Sequence, residues 1–267
     1  MIIGKREFHN NGAYIMGILN VTPDSFSDGG RYTTDEAALK QAEQMILAGA
    51  DIIDVGGEST RPGYTPVPVA EEISRTCFVI EAIKEKFDVP VSIDTYKPEV
   101  AEAGILAGAD MVNDIWGLRA DDRMASVVAT HRVSVCLMHN RKTPQYEDLI
   151  PDMLADLAES ISIAKNAGIP EERILLDPGI GFAKNTQENL AVMRELERFT
   201  ELGFPVMLAT SRKSVIGNTL NLPVTEREEG TLATTVLGYM KGCCFFRVHD
   251  VKANRRALDM VKAIQHG

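Results

Sequence analysis

The chain has few basic residues, few cysteines and no long apolar run. Its 28 lysines and arginines are outnumbered by 38 aspartates and glutamates, which leaves a formal net charge of −10. This balance argues against a broad basic surface for nucleic acid, so any anionic ligand must be held by a local cluster of cations. No apolar run approaches the roughly 18 residues of a membrane-spanning helix, so we expect no membrane span.

The four cysteines, Cys77, Cys136, Cys243 and Cys244, form no CxxC pair, and all have apolar neighbours. This usage predicts buried free thiols in a reducing compartment. The N-terminal stretch "MIIGKREFHNNGAY" lacks the apolar core of a signal peptide. A cytoplasmic location is therefore expected.

No linker or low-complexity segment divides the 267 residues, so we expect one domain over residues 1–267. Short apolar strands alternate with amphipathic helices along the whole chain, and the strands are continuous apolar runs, as in parallel strands covered on both faces. The predicted strands are residues 14–19, 51–55, 91–94, 111–115, 133–138, 174–178, 206–210 and 243–249. The predicted helices are Asp35–Leu47, Val69–Phe87, Pro98–Ala107, Asp121–His131, Ile150–Ala167, Thr186–Phe199, Glu226–Lys241 and Lys252–Ile264.

About eight such units predict an α/β fold, a (β/α)8 TIM barrel. The alternative is an open doubly wound sheet, but no G-x-G-x-x-G follows the first strand. The turn signal "NNG" at residues 10–12 indicates a short N-terminal hairpin that closes the bottom of the barrel.

Polar residues stand where most of the predicted strands end. Each alone is typical of a helix cap or turn, and Asp54 and Asp114 are interpreted in that way. In a (β/α)8 barrel, however, these ends converge on one mouth, where active sites lie. Capping does not explain the remaining set, which is Asn20, Asp94, Asn113, Asp177, Lys213, Arg247 and His249.

This set has a chemical logic. Asp94, Asn113 and Asp177 offer acceptors and an amide donor, which suit a flat heterocycle with an amidine or guanidine edge. Lys213 can donate to a ring oxygen or nitrogen. The cations that an acidic protein needs for phosphate groups are Arg61, Arg247 and His249. Asn20 is a hard oxygen ligand that suits Mg²⁺ shared with substrate phosphates.

Two loops after strands are unusually long. The first, "NVTPDSFSDGG", follows the first strand and carries a lone aromatic residue, Phe26. The second, "STRPGYTPVP" at 59–68, is too rich in proline and glycine for a helix or a strand. Long loops of this kind are often functional, and we interpret the pair as lids over the mouth.

Seven motifs together resemble one family, the dihydropteroate synthases of folate biosynthesis, which are pterin-binding enzymes. The motifs are "GILNVTPDSFSDGG", "DVGGESTRPG", "SIDT", "ND", "DPGIGF", "SRKS" and "RVHD", which occur in the family's order over residues 14 to 251. The resemblance implies a TIM barrel that forms a homodimer. It also implies a transferase that joins 4-aminobenzoate to (7,8-dihydropterin-6-yl)methyl diphosphate and releases diphosphate with Mg²⁺.

The resemblance also implies a role for each matching residue. Asn20 would bind Mg²⁺, and the pterin would be held by Asp94, Asn113, Asp177 and Lys213, of which Asp94 and Lys213 are the catalytic candidates. The diphosphate would be bound by Thr60, Arg247 and His249. The aminobenzoate pocket would be shaped by Arg61, Pro62, Lys213 and Ser214, and the first lid would contain Phe26 and Asp28. "ESTRPG" carries no insertion, so sulfonamides are expected to bind as inhibitors.

Two alternatives stay open. A methyltetrahydrofolate-dependent corrinoid methyltransferase would share the pterin pocket, although a methyl transfer has no diphosphate to hold. A catalytically silent pterin-binding partner would keep the fold without turnover, although the full set of site residues argues against it.

Overall fold

The computed structural model of the chain describes residues 1–21, 31–58 and 66–266, without the side chains of residues 31–35 and 266. Within these residues a short antiparallel hairpin precedes eight parallel strands. The strands are Ile2–Ile3 (β1), Arg6–Glu7 (β2), Tyr14–Asn20 (β3), Ile52–Gly56 (β4), Val91–Asp94 (β5), Met111–Asp114 (β6), Ser134–Met138 (β7), Ile174–Asp177 (β8), Met207–Leu208 (β9) and Phe245–Val248 (β10).

The eight strands form a nearly closed barrel in the order β8-β7-β6-β5-β4-β3-β10-β9. The two outer strands approach each other at a parallel bridge between Leu176 and Val206. The amide of Leu176 also donates to the carbonyl of Pro205 at 3.0 Å. The predicted (β/α)8 barrel is therefore confirmed, and the open doubly wound sheet is wrong.

Helices follow the barrel strands and cover the outside of the barrel. They are Arg31–Leu47 (α1), Val69–Lys86 (α2), Pro98–Leu106 (α3), Arg123–His131 (α4), Leu149–Asn166 (α5), Thr186–Arg194 (α6), Glu197–Thr200 (α7), Ser214–Leu220 (α8), Glu228–Met240 (α9) and Val251–His266 (α10). The single helix predicted over Thr186–Phe199 is in fact two helices, because the backbone of Glu195 leaves the helical region at φ −114° and ψ 27°.

The start of α6 shows how local sequence sets a helix boundary. The side chain of Asn185 accepts a hydrogen bond from the Glu188 amide at 2.9 Å, and the Glu188 carboxylate accepts from the Asn185 amide at 2.7 Å. This reciprocal capping box satisfies two amide groups that have no partner inside the helix. The helix consequently begins at Thr186, as predicted.

Alternation along each strand separates the barrel interior from the helix-packed exterior. Ile53 and Val55 face the helices in the larger apolar cluster, whereas Ile52 faces the barrel interior. Both faces are buried, which explains why the strands are continuous apolar runs in the sequence. The lower interior is filled by apolar side chains, namely Met16, Ile52, Met111, Cys136, Leu175, Met207 and Phe245.

The N-terminal hairpin packs against this lower layer. Phe8 lies edge-on to Tyr14, with 4.8 Å between ring centroids, and 5.5 Å from the ring of Phe245. The turn that links the two hairpin strands lies at Gly4, whose φ is +59°, and "NNG" instead leads into β3. The hairpin is confirmed, but the turn predicted for it at residues 10–12 is wrong, because the left-handed position falls at Gly4.

Three of the four cysteines are buried, as the sequence predicts. All four cysteines are free, and Cys77 is the one that is only partly buried. In the described ranges, no helix is long and apolar enough to cross a membrane.

Candidate active site

The carboxyl ends of four neighbouring strands place polar side chains in one row. Asn20 pairs in register with Gly56, Gly56 with Asp94, and Asp94 with Asn113. Residues paired across a parallel sheet point to the same face, and here that face is the barrel interior. A β-carbon at Gly56 would lie 3.6 Å from the β-carbon of Asp94 and 3.7 Å from Oδ1 of Asn20. The structure therefore brings Asn20, Asp94 and Asn113 together at the mouth of the barrel.

Arg247 crosses the mouth from β10 and binds two buried carboxylates. Its Nε donates to Oδ2 of Asp54 at 2.6 Å, and its Nη2 donates to Oδ2 of Asp94 at 2.6 Å. The Asp54 side chain is fully buried and that of Asp94 is 5% exposed. A guanidinium has five N–H donors, so this arrangement leaves others for a ligand.

The interpretation of Asp54 as a turn residue is wrong. Asp54 pairs in register with Ser92, two residues before Asp94, so it faces the interior as Asp94 does. The side chain of Asn113 also approaches it, with Nδ2 3.5 Å from Oδ2. The signal was present in the sequence, because side chains on one face of a strand recur every second residue. If Asp94 faces inward opposite Gly56, Asp54 must face inward too.

Asp114, in contrast, is the helix-side residue that was expected. Its two carboxylate oxygens accept from the amides of Trp116 at 2.9 Å and Leu118 at 2.8 Å. Burial outweighs these bonds and raises the pKa of Asp114 to about 6. Side chains alternate between the two faces of a strand, so Asn113 faces the barrel interior and Asp114 faces the helices.

The charges of this mouth shift one another's pKa values. Burial raises the pKa of Asp94 to about 7 against the attraction of Arg247, and the charge of Asp54 adds to the rise. Burial also disfavours the Arg247 cation, but Asp54 and Asp94 outweigh it and raise the pKa of Arg247. One oxygen of each carboxylate, Oδ1 of Asp54 and Oδ1 of Asp94, is buried without a partner among the described residues. Unpartnered buried acceptors are costly, which favours a ligand that donates to them.

Asp177 and Lys213 lie near each other on the other side of the mouth. Oδ1 of Asp177 accepts from the Gly179 amide at 2.7 Å. The ammonium of Lys213 donates to the carbonyl of Ile180 and lies 4.6 Å from the centroid of the Phe182 ring. Burial raises the pKa of Asp177 and lowers that of Lys213 to about 8, and each charge partly offsets the shift of the other. The structure thus brings the two predicted residues together, along with Phe182, which the sequence prediction did not single out.

His249 and the "SRKS" segment complete the described rim. Nδ1 of His249 lies 2.9 Å from Oγ of Ser211, and the His249 amide donates to the same oxygen at 3.2 Å. A hydroxyl that donates to Nδ1 leaves the ring proton on Nε2. Helix α8 begins at the exposed Ser214, directly after Lys213.

Five of the predicted site residues lie outside the described residues. They are Phe26, Asp28, Thr60, Arg61 and Pro62. Their roles stay predictions. The described residues nearest to them in the chain are Val21, Arg31, Glu58 and Pro66.

A metal ion at this mouth would take few ligands from the described residues. In the part of the chain that the structure describes, no group of three or more histidines, cysteines or acidic residues is arranged to hold one. Asn20 presents its Oδ1 to the space above Gly56, beside Asp94. A hard amide oxygen fits Mg²⁺, which keeps several waters and commonly binds through substrate phosphates.

Such a mouth suits one kind of ligand. Buried carboxylates and amides lie beside cationic side chains. Gly56, which has no side chain, lies between Asn20 and Asp94. A planar ring with N–H donors would satisfy the orphan carboxylate oxygens. An attached anion would accept from the remaining donors of Arg247. The fold and the site therefore define a TIM-barrel enzyme for a heterocycle that carries an anionic group.

The comparison with known families agrees. The family model for pterin binding enzymes matches residues 16–249, so the chain belongs to the pterin binding enzymes, and its relatives place it among the dihydropteroate synthases, which are transferases. The dihydropteroate synthase of Clostridium beijerinckii is 59% identical over 266 residues, which cover 99% of each chain. That of Bacillus subtilis is 57% identical over 250 residues, 94% of this chain and 88% of the relative.

Solved structures of the family have nearly the same fold as this chain. A Clostridium difficile dihydropteroate synthase in the presence of pteroic acid has a TM-score of 0.95 and 47% identity, over 98% of this chain and 100% of that one. A Xanthomonas albilineans enzyme with 4-aminobenzoic acid gives 0.94 and 43%, over 98% and 97% of the two chains. A Yersinia pestis enzyme in complex with a sulfonamide drug gives 0.93 and 38%, over 100% and 99%.

Proposed function

We propose that the chain joins 4-aminobenzoate to (7,8-dihydropterin-6-yl)methyl diphosphate. The bond from the pterin methylene carbon to the diphosphate oxygen breaks, a bond to the aniline nitrogen forms, and that nitrogen loses a proton. The observation that supports this reaction most directly is the buried trio of Arg247, Asp54 and Asp94. It sets unpartnered carboxylate oxygens beside a cation with free donors, as a pterin diphosphate requires.

Recognition of the pterin falls to the carboxylates and amides of the barrel interior. The amidine edge of the ring would donate to Asp177 and to the orphan oxygen of Asp94. Asn113 and Lys213 would donate to ring nitrogen or oxygen. Asp177 is fixed for this role because its other oxygen already accepts from the Gly179 amide. A ring held in this way excludes water from the reacting carbon.

The cationic side chains at the mouth suit the step in which the diphosphate leaves. Arg247 and His249 would bind the developing phosphate charge, and Asn20 would hold Mg²⁺ against the phosphate oxygens. When bound there, the ion would supply further positive charge for the leaving group. The carboxylates of Asp94 and Asp54 stabilise positive charge on the electron-rich dihydropterin. A neutral aniline then attacks, and no strong general base is needed.

The predicted aminobenzoate pocket and lids extend this proposal. Ser214, at the start of α8, would lie near the carboxylate of the aminobenzoate, with Arg61, Pro62 and Thr60 from the second loop. Phe26 and Asp28 of the first loop would order the second substrate. Replacement of Phe26 with Ala should then raise the KM for aminobenzoate much more than the Kd for the pterin diphosphate. Equal losses of both would contradict the lid. Sulfonamides should compete with aminobenzoate, as expected of ligands that share its pocket.

The surface of the last helices supports the expected homodimer. Leu237 and Met240 of α9 are 38% and 62% exposed, and Met260 and Ile264 of α10 are 61% and 70% exposed. Exposed large apolar side chains on neighbouring helices are typical of association sites. Light scattering of the purified chain should report a dimer that Met260→Glu weakens. The free thiols favour a reducing compartment, in line with the expected cytoplasmic location.

The decisive experiment measures diphosphate release by the purified chain. It is given the dihydropterin diphosphate and Mg²⁺, with and without 4-aminobenzoate, and a parallel sample contains a chelator. Release together with dihydropteroate supports the proposal, and slow release without the amine indicates that the diphosphate departs first. A folded chain that forms no product contradicts it. Cobalamin-dependent methyl transfer would then favour the corrinoid methyltransferase, and pterin binding alone would favour the silent partner.

A further inference from the structure

Behind the pterin side of the mouth lies a buried histidine that contacts a lysine and an aspartate, none of which the proposed reaction uses. We propose that Lys184, held by His139 and Asp156, is a positioning residue that fixes loop 178–184 and, through it, the ammonium of Lys213. This inference rests on the proposed function, since Lys213 matters there as a pterin contact.

Lys184 makes one hydrogen bond within the loop and one from the loop to the barrel. Its ammonium donates to the carbonyl of Phe182 at 2.8 Å and to Nδ1 of His139 at 3.1 Å. Nε2 of His139 lies 3.0 Å from Oδ2 of Asp156 on α5. An ammonium can only donate, so Nδ1 must accept and the ring proton must lie on Nε2, facing the carboxylate. Each group therefore donates to the next, from Lys184 in the loop through His139 to Asp156 on α5.

The histidine is held as a neutral acceptor. Its side chain is fully buried, and burial lowers its pKa to about 3, with the charge of Lys184 adding to the effect. Asp156 is itself held by Arg141, whose Nε donates to it at 2.6 Å, and by Arg119 at 3.5 Å. Nδ1 thus stays an acceptor for Lys184, whose own pKa burial lowers to about 7.

Loop 178–184 follows β8 and needs such an anchor. It has left-handed backbone at Gly179, Gly181 and Ala183, with φ of +68°, +85° and +48°. A non-glycine residue such as Ala183 pays a strain cost there and keeps this conformation only when its surroundings impose it. The hydroxyl of Tyr146 donates to the Ala183 carbonyl at 2.9 Å, immediately before Lys184.

The loop in turn supports Lys213. Lys213 donates to the Ile180 carbonyl and lies 4.6 Å above the Phe182 ring. A β-carbon at Gly181 would stand 3.0 Å from Cδ of Lys213, so the lysine stem lies directly on the loop backbone. Without the hydrogen bond from Lys184 to the Phe182 carbonyl, the loop shifts. The Phe182 ring and the Ile180 carbonyl, which contact Lys213, then move with it.

The test replaces Lys184 with Met, which keeps the length of the stem and removes the donors. Misplacement of a binding group by about 1 Å can cost ~100-fold, so we expect a roughly 10- to 100-fold fall in kcat/KM for the dihydropterin diphosphate. Its Kd, measured by calorimetry with Mg²⁺ and no aminobenzoate, should rise in parallel. The matched control is Lys84→Met at the opposite end of the barrel. Lys84 also donates to a carbonyl, that of Val89 at 3.3 Å, and to Asp110 at 2.8 Å.

A pair of histidine variants separates positioning from folding. His139→Asn places an amide oxygen near the position of Nδ1 and should retain most of the pterin affinity. His139→Leu removes the acceptor and should behave as Lys184→Met does, at a similar melting temperature to His139→Asn. A Lys184→Met chain with the affinity of the wild type, or one that loses no more than Lys84→Met, overturns the inference alone. A wild-type chain that neither turns over nor binds the diphosphate overturns it together with the proposed function.

Discussion

Asp54 is the site residue whose substitution tests the described geometry most directly. Asp54→Asn keeps the shape and one acceptor but removes the charge that Arg247 contacts at 2.6 Å. Two unit charges about 4 Å apart interact by about 4 kcal/mol at an effective dielectric constant of ~20. Arg247 keeps Asp94 and gains an amide oxygen, so we expect roughly half of that attraction to be lost. A loss of about 2 kcal/mol in the transition state lowers kcat/KM by about 30-fold.

The control is Asp114→Asn on a neighbouring strand. The two aspartates are equally buried, at 0% and 1% exposure, but Asp114 faces the helices. Its substitution sets an amide NH2 against the amide of Trp116 or Leu118, which costs roughly 1–3 kcal/mol of unfolding free energy. The melting temperature should fall while kcat/KM for the pterin diphosphate stays near that of the wild type.

The assay is initial-rate turnover with the pterin diphosphate varied at saturating aminobenzoate, alongside thermal unfolding of both variants. The expected pattern is a large kinetic loss for Asp54→Asn and a mainly thermal loss for Asp114→Asn. Wild-type turnover by Asp54→Asn, or an equal kinetic loss in both, would refute an inward Asp54 that holds Arg247.

Three further predictions concern the same mouth. Asp94→Asn should lower kcat by roughly 100- to 1,000-fold, as loss of a transition-state contact does, and a rate near that of the wild type would contradict the role of Asp94. The pH profile of kcat/KM should be bell-shaped. Asp94 loses its charge below a pKa of about 7 and Lys213 loses its charge above a pKa of about 8, so Lys213→Arg should remove the alkaline limb. Gly179→Ala should unfold at a much lower temperature, because φ is +68° and a β-carbon would stand 2.0 Å from the His139 carbonyl; an unchanged melting curve would be inconsistent with that contact.

The sequence was most informative where a physical rule applies to every strand. Burial on both faces makes the strands apolar, and the end of each run marks the mouth, which located Asn20, Asp94, Asn113 and Asp177. Asp54 was missed because it was interpreted by its neighbours in the chain and not by its position in the strand. The same two-residue period that separates Asn113 from Asp114 places Asp54 inside.

Other features depend on contacts that no local pattern encodes. The division of the helix predicted over Thr186–Phe199 depends on the backbone of one residue, Glu195. The pairing of His139 with Lys184 joins residues that lie 45 positions apart, and each alone resembles an ordinary polar residue. Lone polar residues of this kind acquire a meaning only when tertiary packing brings them together.

The closed bottom of the barrel helps to explain the shifted pKa values of the charged groups at the mouth. The apolar layer from Met16 to Phe245 fills the lower interior of the barrel, and Ile3 and Phe8 of the N-terminal segment pack against it. Water is excluded from below, so the carboxylates and the lysine meet a low dielectric on that side. Burial is accordingly the largest cause of the shifts at both Asp94 and Lys213. The pKa values at the mouth therefore depend in part on apolar side chains that a substrate never touches. These side chains are among the most regular features of the sequence.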